Sequence, residues 1–141
     1  MYERVILPTD GSETAEIGIE EGLSLAKNLD IPALCIYVTD FSTLKDLKEK
    51  NYKKDVRRDM EKIGERALKS VRKRAHEMGV DIETRNLIGK PYQKITETAG
   101  ENDIIYISSH GASGFSELIF GSTTEKVLKH AECTVSVVKS R

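Results

Sequence analysis

At 141 residues, 38% hydrophobic and 32% charged, the chain has the length of one domain and can bury roughly 70% of its unfolded surface. Its longest apolar stretches, Ile104–Ile107 and Phe115–Phe120, are too short or interrupted to span a bilayer, so no membrane segment is expected. The net charge is −1, and the three histidines and two cysteines lack the spacing of a structural zinc site.

Arg4–Pro8 reads as a short apolar strand and Thr9-Asp10-Gly11-Ser12 as the turn after it. The opening heptapeptide carries Glu3 and runs into Pro8, unlike a signal peptide, and the expected compartment is the cytoplasm. Ala15, Ile19, Leu23, Ala26 and Leu29 then recur at helical spacing, ending near Asn28–Asp30. Pro32 closes that unit, and Ala33–Val38 is a second, aliphatic strand. Residues 40–55 are polar and irregular. From 56 to 78 an amphipathic helix is expected, with Val56, Met60, Ile63, Ala67, Val71, Ala75 and Met78 as its apolar stripe and Gly79 as its stop.

Residues 45–77 hold 13 of the 22 Lys and Arg and seven Asp and Glu. Such a run can mark a nucleic-acid face. Here the charges fill the positions between the stripe residues, with Glu65 and Lys69 at the favourable i,i+4 spacing. A solvated helix face explains them, and no nucleic-acid partner is expected.

Asp81–Ile88 alternates as a third strand, Gly89-Lys90-Pro91 turns the chain, and Pro91 opens a short helix to Ala99. Asp103–Ser108 is a continuous apolar strand suited to the middle of a sheet covered on both faces. After a glycine-rich loop, Ser122–His130 is helical and Thr134–Val138 is a fifth strand. Five strands separated by helices predict an α/β fold with a parallel, doubly wound sheet and right-handed crossovers. Cys35 and Cys133 fall in apolar segments and read as small buried hydrophobes rather than a disulfide or a nucleophile.

The loop from Ser108 to Ser122 carries the chemistry. Gly111 and Gly121-Ser122 offer close backbone approach and the free amides of a helix start, which suit phosphate. Ser122 with Glu125 also fits a capping box, which would satisfy those amides internally. The pattern is neither a Walker loop nor G-x-G-x-x-G after the first strand.

Three segments together are similar to the universal stress protein family. They are Val5-Ile6-Leu7-Pro8-Thr9-Asp10-Gly11-Ser12 at the start, Ile107-Ser108-Ser109-His110-Gly111 followed after nine residues by Gly121-Ser122, and Glu125–Leu128 with Cys133–Val138 at the end. The middle segment resembles the family's G-x-x-G-x9-G-[S/T] nucleotide loop, with Ser108 in place of its first glycine. The resemblance implies a Rossmann-like sheet of strand order 3-2-1-4-5, with a ligand crevice between strands one and four. It implies an adenine nucleotide as ligand (ATP, ADP or AMP). The nucleotide-binding positions it selects are Pro8, Thr9, Asp10, Val38, Ile107, Ser108, His110, Gly111, Gly121, Ser122 and Thr123. It also implies a homodimer, and Thr134–Val138, as an aliphatic outer strand without proline, would pair with its copy.

Residues 108–125 contain Glu117 and Glu125 but no Lys or Arg. A helix terminus contributes about 0.3–1 kcal/mol per anionic group, slender support for a triphosphate, so either a divalent metal such as magnesium bridges it, or a mono- or diphosphate is the better ligand, or Lys126 or a partner subunit helps. No catalytic residue set stands out: Asp10 and His110 have no arginine beside them, and fast phosphoryl transfer needs one or an equivalent cation. The expected role is a regulatory or sensor homodimer in stress response. The alternatives are an interaction module of the same family without a nucleotide, or a slow ATPase. A receiver domain is rejected, because its third strand would end in an acid and this one ends in Leu87-Ile88-Gly89.

Overall fold

The computed structural model describes residues 1–44, 50–110 and 120–139. In chain order it runs β1 (Arg4–Thr9), α1 (Glu13–Leu29), β2 (Ala33–Thr39), a 3₁₀ turn (Phe41–Leu44), α2 (Lys50–Met78), β3 (Ile82–Ile88), α3 (Pro91–Thr98), β4 (Asp103–Ser108), α4 (Ser122–His130) and β5 (Thr134–Val138). The strands form one parallel sheet in the order β3-β2-β1-β4-β5. This is the expected doubly wound topology, with β1 and β4 adjacent and β5 at an edge.

Alternation along the central strands sends side chains to two separate cores. Val5 and Leu7 of β1 and Cys35 of β2 pack with Ile19, Leu23 and Ala26 of α1 and with Leu68, Val71 and Ala75 of α2. Ile6, Ile36, Ile105 and Ile107 pack on the other face with Ile95 of α3 and Val127 of α4. Burial on both faces is why these strands read as unbroken aliphatic runs. Below the sheet, Arg4 donates to the buried Asp103 at 2.8 Å and ties β1 to β4.

The helix ends follow local chemistry. Ser12 caps α1, its hydroxyl accepting the Ala15 N–H at 3.2 Å, and Glu13 and Glu16 occupy the positive first turn. Asp30 ends α1 in the left-handed region at φ 53°. Gly79 at φ 76° ends α2, where Val80 N–H reaches back to Ala75 O at 2.9 Å.

Several expected details move. Leu29, the last residue of α1, is 44% exposed. In α2 the buried stripe is Gly64, Leu68, Val71 and Ala75, while Ile63 is half exposed. The helix turns its glycine against Tyr37 and Asn86 of the sheet, which rotates Ile63 outward. Glu65 pairs with Arg72 rather than Lys69; Arg72 is oriented by a second bond to Thr84 Oγ1 at 2.7 Å. Helix α2 also starts at Lys50, earlier than its apolar stripe suggested. Both cysteines are free. Burial pushes the Cys35 thiol up to about 12, so it stays a protonated, inert core side chain.

Candidate functional site

The C-terminal ends of β1, β2 and β4 open, on the α3/α4 side, into a cavity of about 360 Å³. A volume of that order lies within the range of small-ligand sites. Its walls bring together Pro8, Thr9, Asp10, Val38, Ile107, Ser108, His110, Gly121, Ser122 and Thr123, ten of the eleven residues expected from sequence. Gly111 lies outside the described residues. Ala15, Ile36, Pro91, Ile95 and Thr124 complete the lining, and no motif pointed to them. Their only sequence signal was membership of apolar or helix-start positions; Pro91 and Ile95 come from α3, which packs on β2 beside Ile36, while Ala15 comes from the start of α1 and Thr124 from the start of α4.

The cavity has two kinds of wall. Ile36, Val38, Pro91 and Ile95 form an apolar side, and Asp10, His110, Ser122 and Thr123 a polar one. Beside it, the β1 turn is held by its own polar groups. Thr9 Oγ1 accepts the Gly11 N–H at 3.0 Å, and Asp10 Oδ1 accepts the Ser12 N–H at 2.9 Å. Gly11 takes φ 82° to make the turn. Asp10 thus forms an Asx turn and lines the cavity as well. Burial, with the charge of Asp10 nearby, pushes the Tyr37 phenol up. Asp40 is outside the lining and accepts the Ser42 N–H at 2.8 Å.

Ser108 turns its side chain away from the cavity. Its hydroxyl donates to Thr14 O at 2.7 Å and accepts the Gly18 N–H at 3.3 Å, both in α1. Only its backbone serves the polar wall, where Ser108 O accepts from Thr124 Oγ1 at 2.8 Å. His110, one of the expected nucleotide-binding positions, is 2% exposed. Its Nδ1 lies 3.0 Å from Ser109 Oγ, and its buried Nε2 has no hydrogen-bond partner among the described residues.

The capping box does not form. Gly121, at φ −60° and ψ 156°, is the N-cap of α4, and Ser122 is already helical, so no side chain caps this end. Glu125 instead approaches Lys129 at 3.8 Å. The first-turn amides of α4 therefore lack a side-chain cap and sit at the cavity wall, where the helix dipole favours an anion. Lys126 places its ammonium 5.4 Å from the centroid of the Tyr92 ring and is not part of the lining. Among the described lining residues Asp10 is the one carboxylate, and there is no Lys or Arg. A single carboxylate does not make a magnesium site, and that ion would have to arrive on the phosphates.

A second depression of about 240 Å³ lies between α1 and α2, beside Glu16, Glu20 and Arg74. Its Arg74–Glu20 pair, at 2.5 Å, satisfies those two charges internally. Among the described residues no helix is long and apolar enough to cross a membrane, and no group of His, Cys, Asp and Glu is arranged to hold a metal ion.

The model of the universal stress protein family matches residues 1–139. The chain belongs to the universal stress protein family. It is 34% identical to the universal stress protein MJ0531 of Methanocaldococcus jannaschii, over 99% of this chain and 83% of that one. The solved structure of protein MJ0577 from the same organism superposes with a TM-score of 0.88 at 26% identity, covering 100% of this chain and 98% of the other. A family protein from Arabidopsis thaliana, solved with AMP bound, shares the fold at a TM-score of 0.68 and 19% identity, over 98% and 92% of the two chains.

Proposed function

We propose that this universal stress protein binds an adenine nucleotide (ATP, ADP or AMP) and acts as a regulatory or sensor homodimer in the cytoplasmic stress response. The observation that carries the reading is the uncapped first turn of α4 at the wall of a cavity that the apolar Ile36, Val38, Pro91 and Ile95 also line. A flat base suits Ile36, Val38 and Ile95, and a phosphoryl group suits the amides of Ser122 and Thr123. Asp10 is placed to accept from ribose hydroxyls. That AMP occupies the Arabidopsis relative supports the same ligand class. The Ser108 hydroxyl, engaged with α1, leaves no side chain in the way of a ligand at the motif's first position.

Calorimetric titration of nucleotide-free protein with AMP and with ATP, each with and without magnesium, tests the reading. Saturable binding of either is expected. No heat, with no shift in melting temperature at millimolar ligand, would leave the interaction-module alternative.

The dimer rests on β5, an edge strand whose residues are half-buried or exposed. Its open backbone groups would be satisfied by the same strand of a second copy. Val137→Pro should weaken association before it lowers the melting temperature. Light scattering that found only a 15.8 kDa species at micromolar concentration would refute the dimer.

A further inference from the structure

The buried Nε2 of His110 is a polar atom that the described fold leaves unmatched. Such atoms are rare in native interiors, because a buried donor or acceptor without a partner loses its water and gains nothing. Here the ring lines the cavity with Nε2 closed to solvent, so a ligand supplies the missing partner once a small turn of the side chain brings that nitrogen to the cavity wall. We propose that His110 Nε2 bonds the phosphoryl group of the bound nucleotide, and that the site is built for a nucleoside monophosphate rather than a triphosphate. This rests on the nucleotide reading above.

Two observations say which part of the ligand the ring meets. The backbone around it is tied to the start of α4: Gly121 N–H donates to Ser109 O at 2.9 Å, and Thr124 Oγ1 donates to Ser108 O at 2.8 Å. His110 therefore follows directly on backbone that is tied to the uncapped amides of α4. The Ser109 hydroxyl and Nδ1 lie 3.0 Å apart; in the tautomer where the hydroxyl donates, Nε2 carries the hydrogen, and that is the form the proposal assigns to the nucleotide complex, with Nε2 donating to a phosphoryl oxygen.

Charge sets the phosphate count. His110 is the one lining side chain among the described residues that can become a cation, and Asp10 opposes it. Residues 108–125 add no Lys or Arg, and Lys126 is engaged by Tyr92. One imidazole and one helix terminus match a single phosphoryl group. A triphosphate would bring further charges that no described lining residue neutralises, so ATP would need a divalent cation of its own.

The test is calorimetric titration of the full chain with adenosine, AMP and ATP, for the wild type, His110→Ala and His110→Gln, with melting temperatures taken first. Wild type should bind AMP about 10-fold more tightly than adenosine or magnesium-free ATP, the scale of a charge-assisted hydrogen bond. His110→Ala should lose about that factor for AMP while adenosine stays within about 2-fold, and Gln, which keeps an N–H donor, should restore part of it. Equal losses for adenosine and AMP, or magnesium-free ATP binding wild type as tightly as AMP, would overturn the proposal and leave nucleotide binding standing. Binding of none of the three compounds would remove the nucleotide reading and this one with it. Should the variants unfold, ring-nitrogen NMR of wild type decides: the His110 Nε2 signal should move with AMP and not with adenosine, and equal movement refutes the assignment.

Discussion

On one face of the sheet α1 and α2 run 17 and 29 residues, about 26 and 44 Å long. On the other, α3 and α4 run eight and nine residues, about 12 and 14 Å. The long pair covers the strands over most of their length, and α1 approaches so closely that a Cβ on Gly18 would stand 3.0 Å from Ser108 Oγ. Apart from the polar depression between α1 and α2, that face is core. The short pair packs on Ile6, Ile36 and Ile105, and the cavity opens on this face between the strand ends and the first turns of α3 and α4. The contrast separates two jobs that one strand does at once: β1 gives Val5 and Leu7 to the packed face, and Pro8 to the open one.

Glycine-to-valine changes on the two faces should divide stability from binding. A Cβ on Gly22 collides with Leu7 Cδ2 and comes within 3.0 Å of Tyr106 Cβ, in the packed face. Gly22→Val is expected to cost about 3 kcal/mol and to lower the melting temperature by about 10 °C. Gly121, at φ −60°, has backbone angles that valine tolerates, so Gly121→Val should leave melting within about 2 °C while weakening nucleotide about 100-fold, as the branch fills phosphate space. Unchanged affinity there would refute the loop assignment.

Smaller effects probe the border between the faces. Asp10→Ala should weaken adenosine, AMP and ATP alike, by about 10-fold; an effect confined to ATP would mean that Asp10 is misplaced beside the ribose. Ser108→Gly restores the family's glycine but removes bonds to Thr14 and Gly18. It should cost about 1 kcal/mol in chemical denaturation and leave affinity within about 2-fold. A large gain in affinity would show that the serine crowds the ligand after all.

Much of this was readable along the chain because the signals are local. Arg4–Pro8, Ala33–Val38 and Asp103–Ser108 are aliphatic runs bounded by turn residues, and each lies in a strand of the structure. Where the reading failed, two local rules competed and a tertiary contact chose. Ile63 and Gly64 both sit at stripe spacing, and the close pass of α2 over Tyr37 and Asn86 selected the glycine. Ser122 and Glu125 have capping-box spacing, yet the backbone arriving from Gly121, held by Ser109 O, starts the helix one residue earlier. Pro91 and Ile95 read as an ordinary helix start and an ordinary core position; nothing in their spacing announces a cavity.

Periodicity and turn chemistry determine the alternation of strands and helices, and three short motifs determine the family, because both depend on neighbours a few residues apart. The order of the strands places Asp10 beside His110, 100 positions away in the chain, and only that order makes a shared wall. Whether the Ser108 hydroxyl faces the ligand space or α1, and whether His110 is exposed or buried with one nitrogen unmatched, depends on which side of the sheet each side chain leaves. That is decided by packing across the sheet, among groups that meet only once the chain has folded.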